Sequence, residues 1–245
     1  MNFDFSEDQK MLRDQARRLL EDRGAVGRSR SRLEAGGGLD SELWAELGEM
    51  GWLGAVIPDE FGGAGLGRID LCVIAEELGR ANAAVPFVSS VYLVTEALVR
   101  YGSDAQKRAW LPKLASGEVI GAFATAEAAG PTTPRRIKTQ FSGGTLTGSK
   151  SPVADGSEAH LLVVLARNSS HFGLYLVDAT DAGVTRQPLK MTDVARPAAS
   201  ITFDNAKAEV LVTDDGWGAM ENLLNRAAVL VAFEQVGGSQ ACLEM

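Results

Sequence analysis

The stretch "VIGAFATAE" (119–127) divides the chain in two. Ahead of it, apolar residues recur at helical spacing. Behind it, "IKTQFS", "TLTGSK", "AHLLVVLAR", "GLYLVDA", "GVTRQPL" and "ASITFDNAKAEVL" are short, β-rich and punctuated by Gly, Asn, Asp or Pro. Turn signals at roughly ten-residue intervals are the signature of a small antiparallel sandwich or barrel.

Working back from residue 119, Ser6 with Gln9 forms a capping-box pattern, and Met11, Leu12, Ala16, Leu19 and Leu20 recur on one face behind it. That helix is expected to end near Gly24. The next stretch, "GAVGRSRSRLEAGGG" (24–38), reads as an exposed, solvated connection, because no glycine pattern there cradles a phosphate. Asp40 caps "SELWAELGEMG", and a turn-rich segment with Pro58, Gly62, Gly63, Gly65 and Gly67 follows. "RIDLCVIAEELGRA" is helical, with Ile69, Val73, Ala75 and Leu78 in step. "SSVYLVTEALVRYG" is another helix, ending at Gly102. Ser103 with Gln106 opens a last one, which Pro112 and Gly117 are expected to terminate.

Working forward, the helical pattern returns at Asp214. "WGAMENLLNRAAVLVAFEQVGGSQACLEM" carries Leu223, Leu224, Ala228, Leu230, Val231 and Val236, apolar on more than one face, so it expects neighbours on several sides. The reading is an α+β multidomain chain: an all-α domain over 1–118, an antiparallel β-domain over 119–213, and a further helix over 214–245.

Composition narrows the function classes. Of 245 residues, 45% are hydrophobic and 23% charged, which is ordinary globular usage, and the formal net charge is −8. An acidic surface argues against nucleic acid and anionic membrane as main partners. The longest apolar runs, "HLLVVLA" and "AAVLVAFE", are too short to span a bilayer. The acidic, polar start "MNFDFSEDQK" is unlike a signal peptide. Cys72 and Cys242, with His160 and His171, give no disulfide framework and no metal-ligand spacing, so a reducing, cytoplasmic compartment is expected.

Three long motifs attach this order to a family. "LGEMGWLGAVIPDEFGGAGLG" (47–67), "EELGRANAA" (76–84) and "YGSDAQKRAWLPKLASGE" (101–118) closely resemble the N-terminal helical domain of the acyl-CoA dehydrogenases. "EAAG" (127–130), "LTGSK" (146–150) and "DVARPAASITFD" (193–204) resemble the middle β-domain more loosely, and "VAFEQVGGSQACLEM" resembles the first helix of the C-terminal domain. The resemblance covers essentially the whole chain. It implies an FAD enzyme that converts an acyl-CoA thioester to the trans-2-enoyl-CoA. A glutamate takes the proton beside the thioester carbonyl, a hydride goes to the flavin, and electrons pass to an electron-transferring flavoprotein. It also implies an oligomer, with sites built between subunits.

The resemblance assigns residues one by one. Flavin-facing backbone and hydroxyl groups fall on Ala124, Thr125, Ala126 and Thr132, with Glu127 at the motif's glutamate and Ala126 where threonine is usual. The family's Gly-x-Lys-x-Trp-Ile-Thr-Asn turn falls on "GSKSPVAD" (148–155), placing Pro152, Val153 and Ala154 at the flavin. Pro152 stands where the ring-packing tryptophan is usual, and Ala154 where the threonine hydroxyl is. Ser89, Ser90 and Leu93 fall on the helix that lines the acyl pocket. No catalytic base is assigned: one alternative position falls near Asn225, Arg226 or Ala227, none a carboxylate, with Glu221 and Glu234 the nearest acids. The rest of the C-terminal domain, with its pyrophosphate-holding Arg-x-x-Phe-Gly and glycine-rich segments, is not found in 1–245. The fragment is therefore expected to be inactive alone. A second expectation from the altered turn is a non-catalytic subunit of a heteromeric dehydrogenase, of the kind that acts on steroid side-chain CoA esters. A third is a monooxygenase or nitroalkane oxidase on the same fold.

Overall fold

The computed structural model describes residues 4–169, 171–193 and 196–245. Seven α-helices and eight strands follow one another among them. Helices α1 (Glu7–Asp22), α2 (Ala25–Glu34), α3 (Ser41–Glu49) and α4 (Arg68–Arg80) lead to a π-helical segment, Val88–Thr95, then α5 (Glu96–Tyr101) and α6 (Asp104–Ser116). The strands are β1 (Gly121–Ala124), β2 (Gln140–Ser142), β3 (Thr145–Ala154), β4 (Leu161–Asn168), β5 (His171–Asp178), β6 (Val184–Leu189), β7 (Ala198–Lys207) and β8 (Glu209–Val212). Helix α7 (Gly216–Glu244) ends the chain.

The helix, strand, helix order is as expected from the sequence, and both capping boxes form, at Ser6/Gln9 and Ser103/Gln106. Four local expectations are corrected. Residues 25–34 are helical rather than a loop, because charge pairing fixes them: Arg28 grips Asp40 through two bonds of 2.7 and 2.5 Å and also reaches Glu42 at 2.9 Å. Buried Ser29 donates to the Asn82 carbonyl at 2.6 Å. Pro112 does not end α6, which runs on to Gly117 in the left-handed region (φ 80°). The carbonyl that loses its donor belongs to Arg108, an exposed residue. Met11 and Ile69, in step with their helices, are 63% and 58% exposed. "GSKSPVA" is strand, not turn.

The sheet runs β6-β7-β3-β2-β4-β5-β8, with β1 pairing β4 off that path. It is mixed rather than purely antiparallel, since β1 and β2 both pair β4 in parallel. Both of its faces are buried, which is why β4 reads as an unbroken apolar run. Leu161, Val163 and Leu165 join Leu98, Leu111, Leu114 and Leu223 in a core shared with the helices. Leu162, Val164 and Ala166, one residue out of step, pack with Val153, Tyr175, Ile201 and Phe203 on the other face. A third core, around Trp44, Trp52, Phe87 and Tyr92, lies among the helices and takes in Ala227 and Leu230 of α7.

Helix α7 docks on α4 at near-zero backbone clearance. A Cβ on Gly237 would sit 1.8 Å from the Glu76 carbonyl, and one on Gly79 would sit 2.0 Å from the Glu234 carbonyl. Glycine is required at both crossings. Buried Glu96 adds a polar anchor, pairing with Arg68 and with Arg226 of α7 at 2.8 Å. Of the three residues at the alternative base position, Asn225 is exposed, Arg226 is committed to Glu96, and Ala227 is core.

Candidate functional site

The site begins with a buried ion pair. Lys150, fully buried on β3, donates to Glu127 Oε1 at 2.7 Å and to the Thr125 carbonyl at 3.3 Å. Glu127 also accepts the backbone N–H groups of Lys138 and Thr139 at 2.6 and 3.0 Å. The Ser151 N–H donates to the Ala126 carbonyl at 2.8 Å. These bonds clasp the segment after β1 against the middle of β3. Burial alone would raise the Glu127 carboxyl, but Lys150 and Thr139 outweigh it and hold it below its usual value. Burial pushes the Lys150 ammonium down to about 8, against the opposing pull of Glu127.

The register of β3 decides what faces outward. Lys150 lies opposite Ile201, and Val153 opposite Ala199, so one extra residue is inserted between them. Lys150 and Val153, three apart, both point inward, and Pro152 and Ala154 are left exposed. A bulge is where a strand tolerates proline, because the missing N–H is not needed in the ladder. Beside them Ala124 is buried at the end of β1, and Thr125 and Ala126 are half-buried. Thr132 is half-buried in the loop to β2, which Arg136 pins by donating to the Ala129 carbonyl at 2.9 Å. The hydroxyls of Thr125 and Thr132 have no partner among the described residues.

The π-helical segment meets this shelf from the other side. Ser89 donates to Asp155 Oδ2 at 2.5 Å, and Asp155 turns the chain off β3 in the left-handed region (φ 55°). Ser90 accepts the Gly121 N–H at 3.1 Å, tying the segment to β1. Half-buried Leu93 packs between two of the apolar cores. The residues assigned to flavin and those assigned to the acyl chain are thus brought to one junction, through Ser89–Asp155 and Ser90–Gly121.

Two residues at that junction escaped the sequence reading. Tyr92 donates to Glu234 Oε1 of α7 at 2.9 Å, and Arg196 approaches Glu234 Oε2 at 3.5 Å. The available signal was a tyrosine in an otherwise aliphatic run, since a buried phenol needs a polar partner. Burial raises Glu234, with Arg196 and Tyr92 opposing. Burial likewise raises Asp155, with Ser89 and Arg196 opposing. The junction therefore holds two carboxyls of increased proton affinity beside one guanidinium.

Larger cavities lie away from this junction. One of about 520 Å³ is lined by Trp110, Asp178 and Lys207, and another of about 430 Å³ by Arg17, Glu77 and Arg80. Among the described residues no group of three or more His, Cys, Asp or Glu is placed to hold a metal, and no helix is long and apolar enough to cross a membrane.

Comparison with known proteins follows the same outline. Residues 6–118 match the acyl-CoA dehydrogenase N-terminal domain. A probable acyl-CoA dehydrogenase of Bacillus subtilis is 30% identical over 217 residues, which cover 83% of this chain and 36% of that protein. The crystal structure of glutaryl-CoA dehydrogenase from Mycobacterium smegmatis superposes with a TM-score of 0.88 at 28% identity, covering 98% of this chain and 64% of that one. The ChsE4-ChsE5 complex from Mycobacterium tuberculosis contains a chain matching with a TM-score of 0.88 at 26% identity, covering 100% of this chain and 67% of its own. The chain spans little more than a third of that curated relative and about two thirds of those solved chains. Motifs, element order and superposition agree, and the chain belongs to the acyl-CoA dehydrogenase family.

Proposed function

We propose that this chain takes part in the FAD-dependent α,β-dehydrogenation of an acyl-CoA thioester to the trans-2-enoyl-CoA. The observation that carries the reading is the Glu127–Lys150 clasp, which puts the loop after β1 and the outer edge of β3 on one shelf. Thr125 and Thr132, half-buried with unpartnered hydroxyls, fit a polar ring laid on that shelf. Ala124 and Ala126 offer backbone groups, Pro152 and Ala154 offer apolar contact, and Val153 holds the strand from beneath. When bound, FAD supplies the hydride acceptor; the protein supplies position and field. Ser89, Ser90 and Leu93 border the acyl side of the junction. No base is assigned on this chain, since both Glu234 oxygens are engaged by Tyr92 and Arg196. The reading includes a cytoplasmic setting, an electron-transferring flavoprotein as acceptor and an oligomeric assembly. Its test is expression of the intact gene product with FAD: a yellow protein that bleaches with an acyl-CoA supports it, and a protein that stays colourless refutes it.

A second reading is a non-catalytic subunit of a heteromeric dehydrogenase. The exposed edge of β3 carries neither an aromatic nor a hydroxyl at Pro152 and Ala154, and one similar structure is a two-protein complex. Co-expression with a neighbouring dehydrogenase gene separates the readings, with two flavins per tetramer favouring this one and four refuting it.

A further inference from the structure

We infer that Arg196 is the positioning residue of the junction: its charge, set between Glu234 of α7 and Asp155 at the end of β3, holds the acyl-facing segment in register with the flavin-facing strand. Which side faces the acyl chain rests on the proposed dehydrogenation; the contacts themselves do not. Four stretches of chain, distant in sequence, close into one ring. Asp155 accepts from Ser89 at 2.5 Å, and Ser89 leads along the π-helical segment to Tyr92. Tyr92 donates to Glu234 Oε1 at 2.9 Å, and Arg196 meets Glu234 Oε2 at 3.5 Å. The ring closes beside Arg196, where the Pro197 carbonyl accepts the Asp155 N–H at 2.8 Å.

The charges of the ring do not balance without Arg196. Asp155 and Glu234 are acids, Glu158 lies within electrostatic range of Asp155, Tyr92 is a buried phenol, and Cys72 of α4 faces that phenol. Among the described residues, Arg196 is the one cation acting on Asp155 or Glu234. Its side chain is 41% exposed against 11% for Glu234, so it covers the carboxylate from the solvent side. Without the cation, Asp155 and Glu234 are each left bonded only to a neutral hydroxyl. A buried carboxylate with no countercharge takes up a proton instead. The proton removes the charge but does not restore the geometry. A neutral Glu234 keeps Tyr92, yet it no longer draws the connection between β6 and β7 onto α7.

The test compares wild type, Arg196→Gln and Arg196→Lys in thermal melts from about pH 5 to about pH 8. Glutamine raises the proton affinity of Asp155 and Glu234 in the folded chain and not in the unfolded one, so the variant's stability relative to wild type falls as pH rises. The expected melting deficit of Arg196→Gln is roughly twofold or more larger at the alkaline end than at the acid end, and Arg196→Lys regains most of it. A role confined to packing of the arginine stem gives a deficit that does not change with pH. At the alkaline end, calorimetry with butyryl-CoA should show binding weakened about tenfold in Arg196→Gln and recovered in Arg196→Lys. A deficit that is flat with pH, or butyryl-CoA binding that is the same in Arg196→Gln as in wild type, overturns the inference. If wild type binds no butyryl-CoA while the melts keep their pH-dependent deficit, the dehydrogenase reading falls and the charge-balancing role of Arg196 stands.

Discussion

At the scale of residues, the pair Lys150–Glu127 does the most to shape the site. Removing one partner of a buried ion pair leaves the other charge uncompensated, at a cost of about 3–5 kcal/mol. Glu127→Gln should therefore lower the melting temperature by roughly 10 °C or more, given ~2–4 °C per kcal/mol in a chain of this size. A thermal melt checks this, and an unchanged transition would show that the pair is not what clasps the loop to β3. The lysine also sets a pH dependence. Its folded value, about 8, lies below the ordinary 10.5, so between those values the unfolded chain binds more protons than the folded one. Stability from this group therefore rises as pH climbs from 8 towards 10.5, the reverse of a lysine raised by its partner. Measured relative to Lys150→Met, the wild-type chain should gain stability across that window. A flat or falling difference would contradict a desolvated ammonium.

At the scale of elements, the crossing of α4 and α7 decides how the two ends of the chain meet. Gly237→Ala places a Cβ against the Glu76 carbonyl, which is backbone and has no rotamer to yield. Overpacking of this kind costs typically 1–3 kcal/mol, and a backbone clash puts it at or above the top of that range. Chemical denaturation should show a loss of about 3 kcal/mol or more, with hydrogen exchange of α7 faster than that of β4. Exchange equal in both elements would mean that α7 does not depend on this crossing. The elements also show what sequence can carry. Both capping boxes and the unbroken apolar run of β4 are local patterns, and they were legible. Helix α2 was not, because the Arg28–Asp40 and Ser29–Asn82 contacts that settle it join residues distant in the chain. The bulge that turns Pro152 outward was hidden for a similar reason, since register belongs to the pairing with β7 and not to β3 alone.

At the scale of the whole molecule, helices and sheet share one apolar core, and the candidate site sits where β1, β3, the π-helical segment and α7 converge. Resemblance placed the flavin-facing and acyl-facing residues on separate motifs; the fold joins them through Ser89–Asp155 and Ser90–Gly121. It could not supply Tyr92–Glu234, because that contact depends on how α7 returns across the helical layer. The central claim is that the shelf formed by Thr125, Thr132 and the outer edge of β3 receives a flavin ring. The most direct measurement is a riboflavin titration, with ligand fluorescence as the readout. Wild-type chain is compared with Thr125→Val/Thr132→Val and with Pro152→Trp/Ala154→Thr. The account predicts saturable quenching by wild type, weakened by the valines and tightened about tenfold by the tryptophan and threonine, equivalent to ~1.4 kcal/mol of added contact. Quenching that is absent in all three proteins, or identical in all three, would contradict it.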